Sequence, residues 1–228
     1  MAALRRGAPG TRARWERKNY AGRTVGLYAG PASALGTAAA ASRVHPGAAL
    51  AALAAGACGA YDDVAGDHRR GFRAHLGALR DGEVTSGAVK LFGISAAGLA
   101  AGAFMKERPL DRLLAGIVIA GTAHFVNLVD VRPGRAAGAV LALGAPGLLR
   151  KGPGAGLSAA AMGAAAAVLP DDLAERAMIG DTGAHALGAA LGAAVVAGNG
   201  RAGLLAHAVA VVAAAAYGDR VSAWARAL

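Results

Sequence analysis

The sequence predicts an all-α, polytopic integral membrane protein of about eight transmembrane helices, and three observations lead there. The mean hydropathy is +0.42, and 55% of the residues are hydrophobic. Only 17% are charged, below the roughly one quarter that covers the surface of a soluble domain. The charges are also segregated. They stand in joints between uncharged runs at 24–42, 46–61, 91–105, 113–129, 136–149, 152–170, 182–200 and 202–218. Several runs are shorter than the ~20 residues that span a bilayer, and alanine is only weakly lipophilic. The regular alternation of runs and joints is what favours the membrane over a soluble Ala-rich bundle.

Taken in order, the runs assign themselves to two sides. Seven Lys/Arg precede Thr24, so residues 1–23 read as a basic cytoplasmic segment. The first run leaves the cytoplasm, turns at "RVHPG", and the second returns to Asp62–Asp63. Segment 62–90 is then cytoplasmic. The third run exits to "KERPLDR" and the fourth comes back to Asp130. "VRPGR" is a cytoplasmic turn, and the fifth run leads out to "RKGPG". The sixth returns to "DDLAERAMIGDTG", the seventh exits to "NGRAG", and the eighth ends inside, leaving 219–228 as a cytoplasmic tail. The helical domain is thus 24–218. Seventeen of the 24 Lys/Arg fall inside on this assignment, in keeping with the positive-inside rule. The expected location is the plasma membrane, multi-pass.

Other readings of the composition fall away. Aromatic residues make up 4%, too few for stacking platforms, and the net charge of +10 is dispersed through the joints; nucleic acid is therefore not an expected partner. The single Cys58 lies inside a run and reads as a small core residue. The basic start lacks an apolar core behind it, so no signal peptide is expected. Gly98/Gly102 and Gly188/Gly192 have the four-residue spacing that lets helices approach closely.

The acids point to chemistry. Asp62–Asp63, Asp130 and Asp171–Asp172–Asp181 all fall on the cytoplasmic face, although more than a hundred residues separate the first from the last. The outer joints hold only Glu107 and Asp111. Neighbouring carboxylates stay ionised only beside a cation or basic groups, and Mg²⁺ takes one or two carboxylates plus water and phosphate. Basic groups follow Asp63 at once: His68, Arg69, Arg70, Arg73, His75 and then Lys90. Acids and bases together at a membrane surface suit a phosphate-bearing substrate. In "AHFVNLVDVRPGRAAG", Asn127 and Asp130 share a helix face, and Arg132 and Arg135 flank a Pro-Gly turn. In "MIGDTGAHALGAALG", Asp181 stands between glycines that permit an unusual backbone and bring N–H groups near an anion. For each site alone, a solvated helix end is the competing reading.

Together, the order DD, then N-L-x-D-x-x-x-G-x-A-x-G, then G-D-T-G-x-x-A-L-G-x-x-L-G resembles the polyprenyl-phosphate N-acetylhexosamine-1-phosphate transferases. That superfamily includes the phospho-N-acetylmuramoyl-pentapeptide transferases. The resemblance runs from about Asn19 ("NYAGR") to about Leu191. It implies an all-helical, Mg²⁺-dependent enzyme with its site on the cytoplasmic face. It implies that Asp62 and Asp63 handle the polyprenyl phosphate and organise the metal, and that Asp181 is a metal ligand, with Asp63 beside it. Asn127 and Asp130 match the segment that binds the nucleotide-sugar, and Lys90 matches a phosphate-contacting lysine. With His75 and Arg132 these form the expected substrate-binding set; Asp62, Asp63 and Asp181 form the catalytic set.

The chain departs from that pattern in four places. His124 stands where the family's first Asn is usual, and Pro133 replaces a second acid after Asp130. Counterparts of the family's first transmembrane helix and of its large His-rich cytoplasmic loop are not expected from these residues, so the resemblance is to a divergent, shortened member. The expected reaction moves a sugar-1-phosphate from a UDP-sugar to polyprenyl phosphate and releases UMP, in cell-envelope glycan synthesis. The competing expectation is a non-catalytic homologue serving as a membrane scaffold or lipid-phosphate-binding partner. A cation transporter would place its acids mid-helix, which the sequence does not. The sugar, the prenyl chain and a homodimeric state are left open.

Overall fold

A computed structural model describes residues 12–66, 77–78 and 80–228. Among them the fold is all-helical apart from one hairpin. Each of the eight uncharged runs lies on a helix: α1 (Ala29–Ser42), α2 (Pro46–Ala65), α3 (Ser86–Met105), α4 (Pro109–Val129), α5 (Arg135–Leu148), α6 (Pro153–Leu173), α7 (Gly180–Gly198) and α8 (Arg201–Ala216). A further helix, α9 (Gly218–Ala227), follows at 84° to α8. It is tied to α4 by Ser222 Oγ, which donates to the Leu128 carbonyl at 2.7 Å.

The joints end the helices by their own chemistry. Pro46, Pro109 and Pro153 each occupy the first turn of the helix they open, where the missing N–H is not needed and φ is already set. Thr85 caps α3, its hydroxyl accepting from Ala88 N at 3.1 Å. His45 Nδ1 accepts from Gly47 N at 3.1 Å to cap α2.

Fewer helices are built for lipid than the runs suggest. Among the described residues α3, α4 and α6 are long and apolar enough to cross a membrane, and the bent pair α8–α9 would make a fourth if it is one broken span and not a re-entrant loop. The helices α1 and α5 have 14 residues each, about 21 Å at 1.5 Å per residue, short of a ~30 Å hydrocarbon core. The reason differs for α7. Fifteen of its 19 residues are buried, with α2, α4, α6 and α1 packed around it. A helix surrounded by protein needs small side chains, not lipophilic ones.

Small residues set the spacing in that centre. A Cβ on Gly188 would stand 2.7 Å from Ala123 Cα, and one on Gly192 2.8 Å from Ile119 Cα, so α7 lies directly against the α4 backbone. Gly98 and Gly102 do the same between α3 and α4, at 2.8 Å from the Gly116 carbonyl and 2.6 Å from the Arg112 carbonyl. The four-residue glycine spacing is therefore a helix-contact pattern.

The hairpin joins β1 (Glu16–Lys18) to β2 (Thr24–Gly26), with Gly22 turning at φ +76°. Strands of three residues show no readable alternation, and the sequence reading assigns none here. Gly26 reaches the loop before α7, its carbonyl accepting from Met178 N at 3.2 Å.

The antiparallel run of the helices sends the C-terminal ends of α2, α4 and α6 and the N-terminal ends of α3, α5 and α7 to one end of the bundle. Basic side chains close the other end. Lys106 Nζ donates to the Asn199 carbonyl at 3.0 Å, and Arg150 Nη1 to the Gly198 carbonyl at 2.6 Å. Arg201 pairs with Asp111 at 2.6 and 3.2 Å. Cations on the last carbonyls of α7 are favourably placed against its dipole.

Candidate active site at one end of the bundle

The site is built on a close crossing of α2 and α7. Gly59, one turn before Asp63, lies against the first turn of α7; a Cβ there would fall on the Asp181 carbonyl and 2.7 Å from Thr182 N. This approach delivers the Asp63 carboxylate to the start of α7. One oxygen accepts from Asp181 N at 3.0 Å; the other accepts from Thr182 N at 2.9 Å and from Thr182 Oγ1 at 2.6 Å. Gly180 enters the helix at φ +57°, the left-handed region that favours glycine. The Asp63 side chain thus caps the N-terminus of α7 from another helix, a role that the N-cap residue, Ile179, cannot fill. Arg17 from the hairpin donates to the Asp63 carbonyl at the end of α2.

Asp62, about 100° further round the helix, faces elsewhere. Lys90, one turn into α3, sets its Nζ 2.7 Å from Asp62 Oδ2 and also donates to Asp181 Oδ2. Asp62 also bonds the Ser86 side chain and lies within hydrogen-bond reach of the Asp181 carboxyl. Two carboxylates therefore converge on one cation position, which the Lys90 ammonium fills. The sequence reading pairs Asp63 with Asp181 as metal ligands. Both Asp63 oxygens accept hydrogen bonds from the first turn of α7, and the carboxylate that shares the Lys90 ammonium with Asp181 is Asp62.

A cavity of about 360 Å³ opens beside this cluster, lined among others by Lys18, Tyr20, Asp130, Arg132, Asp172 and Glu175. Asp130 caps the C-terminus of α4, and Asn127, half-buried one turn earlier, accepts from Asp130 N at 3.2 Å through its carbonyl. The Arg132 guanidinium lies over the Tyr20 ring, 4.9 Å from its centroid, a cation–π contact. Asp172 Oδ2 accepts from Gly134 N at 2.7 Å, bracing the Pro-Gly turn against α6. Asn19 Nδ2 donates to Glu175 Oε2 at 2.7 Å, joining the hairpin to the same wall. His75, with His68, Arg69, Arg70 and Arg73, lies outside the described residues.

Burial in the cavity wall, with the like charges of Asp172, Asp181 and Asp63 behind it, pushes the Asp130 carboxyl well above the usual carboxylate range. The folded chain thus keeps a proton that the unfolded chain has released from about pH 4 upward. The stabilisation this gives is complete below about pH 4 and is lost as pH rises through the raised value. Asp130→Asn is therefore expected to raise the unfolding midpoint at pH 8 and to leave it nearly unchanged at pH 4.5. The same shift at both pH values would show that Asp130 titrates as an ordinary carboxylate.

Two residues the sequence reading did not place in the site lie beneath it. His185, fully buried, shares a hydrogen bond with the Asp181 carbonyl through Nδ1 at 2.7 Å, which puts the proton on Nδ1. Its ring meets His124 edge-on, 5.5 Å between centroids, and among the described residues neither Nε2 has a hydrogen-bond partner. His124 is one of the chain's departures from the motif, and His185, four residues after Asp181, is its neighbour across α4 and α7. The i+4 spacing from Asp181 was the available signal.

Among the described residues no three His, Cys, Asp or Glu gather as a metal-ligand set. The hard oxygens of Asp62 and Asp181 nonetheless fit Mg²⁺, which needs only one or two carboxylates and completes its shell with water and phosphate.

No family model, curated protein or solved structure matches the chain. The fold and site define a class, an all-α bundle with membrane-length helices and a carboxylate–lysine cluster at one end.

Proposed function

We propose that this chain is a membrane transferase that moves a hexosamine-1-phosphate, or a related sugar-1-phosphate, from a UDP-sugar to polyprenyl phosphate. The observation that carries it is the convergence of Asp62, Lys90 and Asp181 from three helices, next to a cavity of nucleotide size. The order of the three motifs supports the same reading. The helices would sit in the membrane as a bundle around α7, with the cluster facing the cytoplasm; 17 of the 24 Lys/Arg fall in the segments that the sequence assigns to that side. The partners would be the bilayer, the lipid phosphate and the UDP-sugar.

In the reaction, an oxygen of the lipid phosphate attacks the β-phosphorus of the UDP-sugar. The bond from that phosphorus to the bridging oxygen breaks, and its electron pair leaves with UMP. A lipid phosphate is largely dianionic at neutral pH, its second pKa being about 6, so no strong base is required. Asp62 and Asp181 would hold Mg²⁺, which when bound would supply neutralisation of the charge developing on the leaving phosphate. Lys90 would bind a phosphate oxygen, Arg132 and Tyr20 would hold the nucleotide side of the donor, and Asp63 would position Asp181 by fixing the first turn of α7.

The test is UMP release from a panel of UDP-sugars by purified protein with undecaprenyl phosphate and Mg²⁺. Release is expected from the wild type, with a drop of at least about a hundredfold for Asp181→Asn and for Asp62→Asn. Silence from every donor, in protein shown to be folded, would favour the non-catalytic reading, a membrane scaffold that binds lipid phosphate.

A further inference from the structure

We propose that Lys90 is a built-in counter-ion that holds the divalent-cation position shut, and that a metal ion enters only by displacing it. The inference rests on the transferase reading for the metal's purpose, but not for its own test. The observations are positional. Lys90 Nζ lies 2.7 Å from Asp62 Oδ2 and also bonds Asp181 Oδ2, so one ammonium bridges the two carboxylates that face each other. The third acid faces another way: its two oxygens accept three hydrogen bonds from Asp181 N and Thr182, and neither bonds Lys90. A divalent ion bound to Asp62 and Asp181 would stand within a few ångströms of Nζ. Two cations cannot share that space in a partly buried site, where screening is weak.

The device has a chemical logic. Without its substrates the site stays neutralised, and two half-buried carboxylates are not left to repel. When metal arrives, the long flexible lysine side chain is released with its charge intact. Its natural destination is the phosphate that the metal also binds. One residue thus serves as a lock in the resting state and as a phosphate ligand afterwards.

The experiment measures Mn²⁺ binding to purified full-length protein in detergent, without lipid phosphate or donor, by the electron paramagnetic resonance signal of free Mn²⁺. Lys90→Met keeps the length of the side chain and removes the charge. It is expected to bind Mn²⁺ at least about tenfold more tightly than the wild type. Lys90→Arg should stay near the wild type, and Asp181→Asn added to Lys90→Met should abolish the gain. Lys18→Met removes a charge at the same end, and among the described residues the ion pairs of Asp62 and Asp181 are with Lys90, not with Lys18; it should change affinity by less than about threefold, and less still at high salt. Equal or weaker binding by Lys90→Met would overturn the proposal, as would a Lys18→Met effect of the same size.

A second measurement needs no variant. Acylation of Lys90 by an amine reagent should rise when wild-type protein is saturated with Mn²⁺, since the amine is then freed from both carboxylates. Unchanged labelling with Mn²⁺ bound would overturn the proposal. The two readings separate cleanly. Tight Mn²⁺ binding by Lys90→Met, together with no UMP release by the wild type from any donor, sinks the transferase and keeps the lock. UMP release by the wild type with no gain in Lys90→Met does the reverse.

Discussion

Asp63→Ala is expected to destabilise the protein by about 3 kcal/mol, whereas Asp62→Ala, one residue away, should cost under about 1 kcal/mol. The two carboxylates are adjacent in sequence and of identical chemistry, so the contrast comes from geometry alone. Removing Asp63 leaves two backbone N–H groups and the Thr182 hydroxyl without their acceptor. Loss of an N-cap costs about 0.5–2 kcal/mol, and each buried donor left unsatisfied adds about 1–3 kcal/mol where water cannot reach it. Removing Asp62 leaves Lys90 still paired with Asp181.

The readout is the apparent unfolding midpoint in detergent, which should fall by about 6–12 °C for Asp63→Ala. Asp63→Asn should lie between, because its amide keeps one accepting oxygen and turns the other position into a donor that meets N–H groups. UMP release should fall in Asp63→Ala as well, through a loosened Asp181. Raising Mg²⁺ should not restore it, since the lost contact is not a metal ligand. Equal midpoints for the two alanine variants would mean that the roles of Asp62 and Asp63 are not divided in this way.

That division was beyond reach of the sequence, for a reason specific to helices. Neighbouring residues point about 100° apart, so a DD pair must split its attention, but which member faces which partner depends on how α2 is rotated against α7. What the sequence could show was the ends. An apolar helix can carry charge only where it leaves the bundle, so the eight runs marked eight helices, and the alternation of directions gathered Asp62, Asp130, Asp172 and Asp181 at one end. The number of helices apolar enough for lipid was less legible, because α7 is wrapped by protein and its alanines and glycines report packing. The His124–His185 contact was hidden for another reason. It joins two residues 61 positions apart whose meeting depends on the close approach of α4 to Gly188, and no local pattern encodes it. The hairpin at 16–26 was too short to announce itself, and it matters because Arg17 and Asn19 tie it to the acids.

Gly59→Ala carries the test of the helix crossing itself. The added methyl would collide with the Asp181 carbonyl and stand 2.7 Å from Thr182 N. Both are backbone atoms at the start of a central helix, so no side chain can swing aside, and α2 must retreat from α7 by a sizeable fraction of the methyl's radius. Overpacking of this kind costs about 1–3 kcal/mol. Its functional effect should exceed its effect on stability, because the displaced residues are the ones that align Asp63 with Asp181. A fall in UMP release of at least about a hundredfold is expected, since a misplacement near 1 Å has that effect on aligned reacting groups. Mn²⁺ affinity should weaken in parallel as Asp62 moves away from Asp181. Gly36→Ala supplies the comparison: in the exposed middle of α1, a Cβ there meets nothing within 4 Å. It should instead stabilise the helix by about 0.5–1 kcal/mol, with catalysis intact. If Gly59→Ala matched Gly36→Ala in both respects, the α2–α7 approach would have room to spare, and the site would owe its geometry to something other than that crossing.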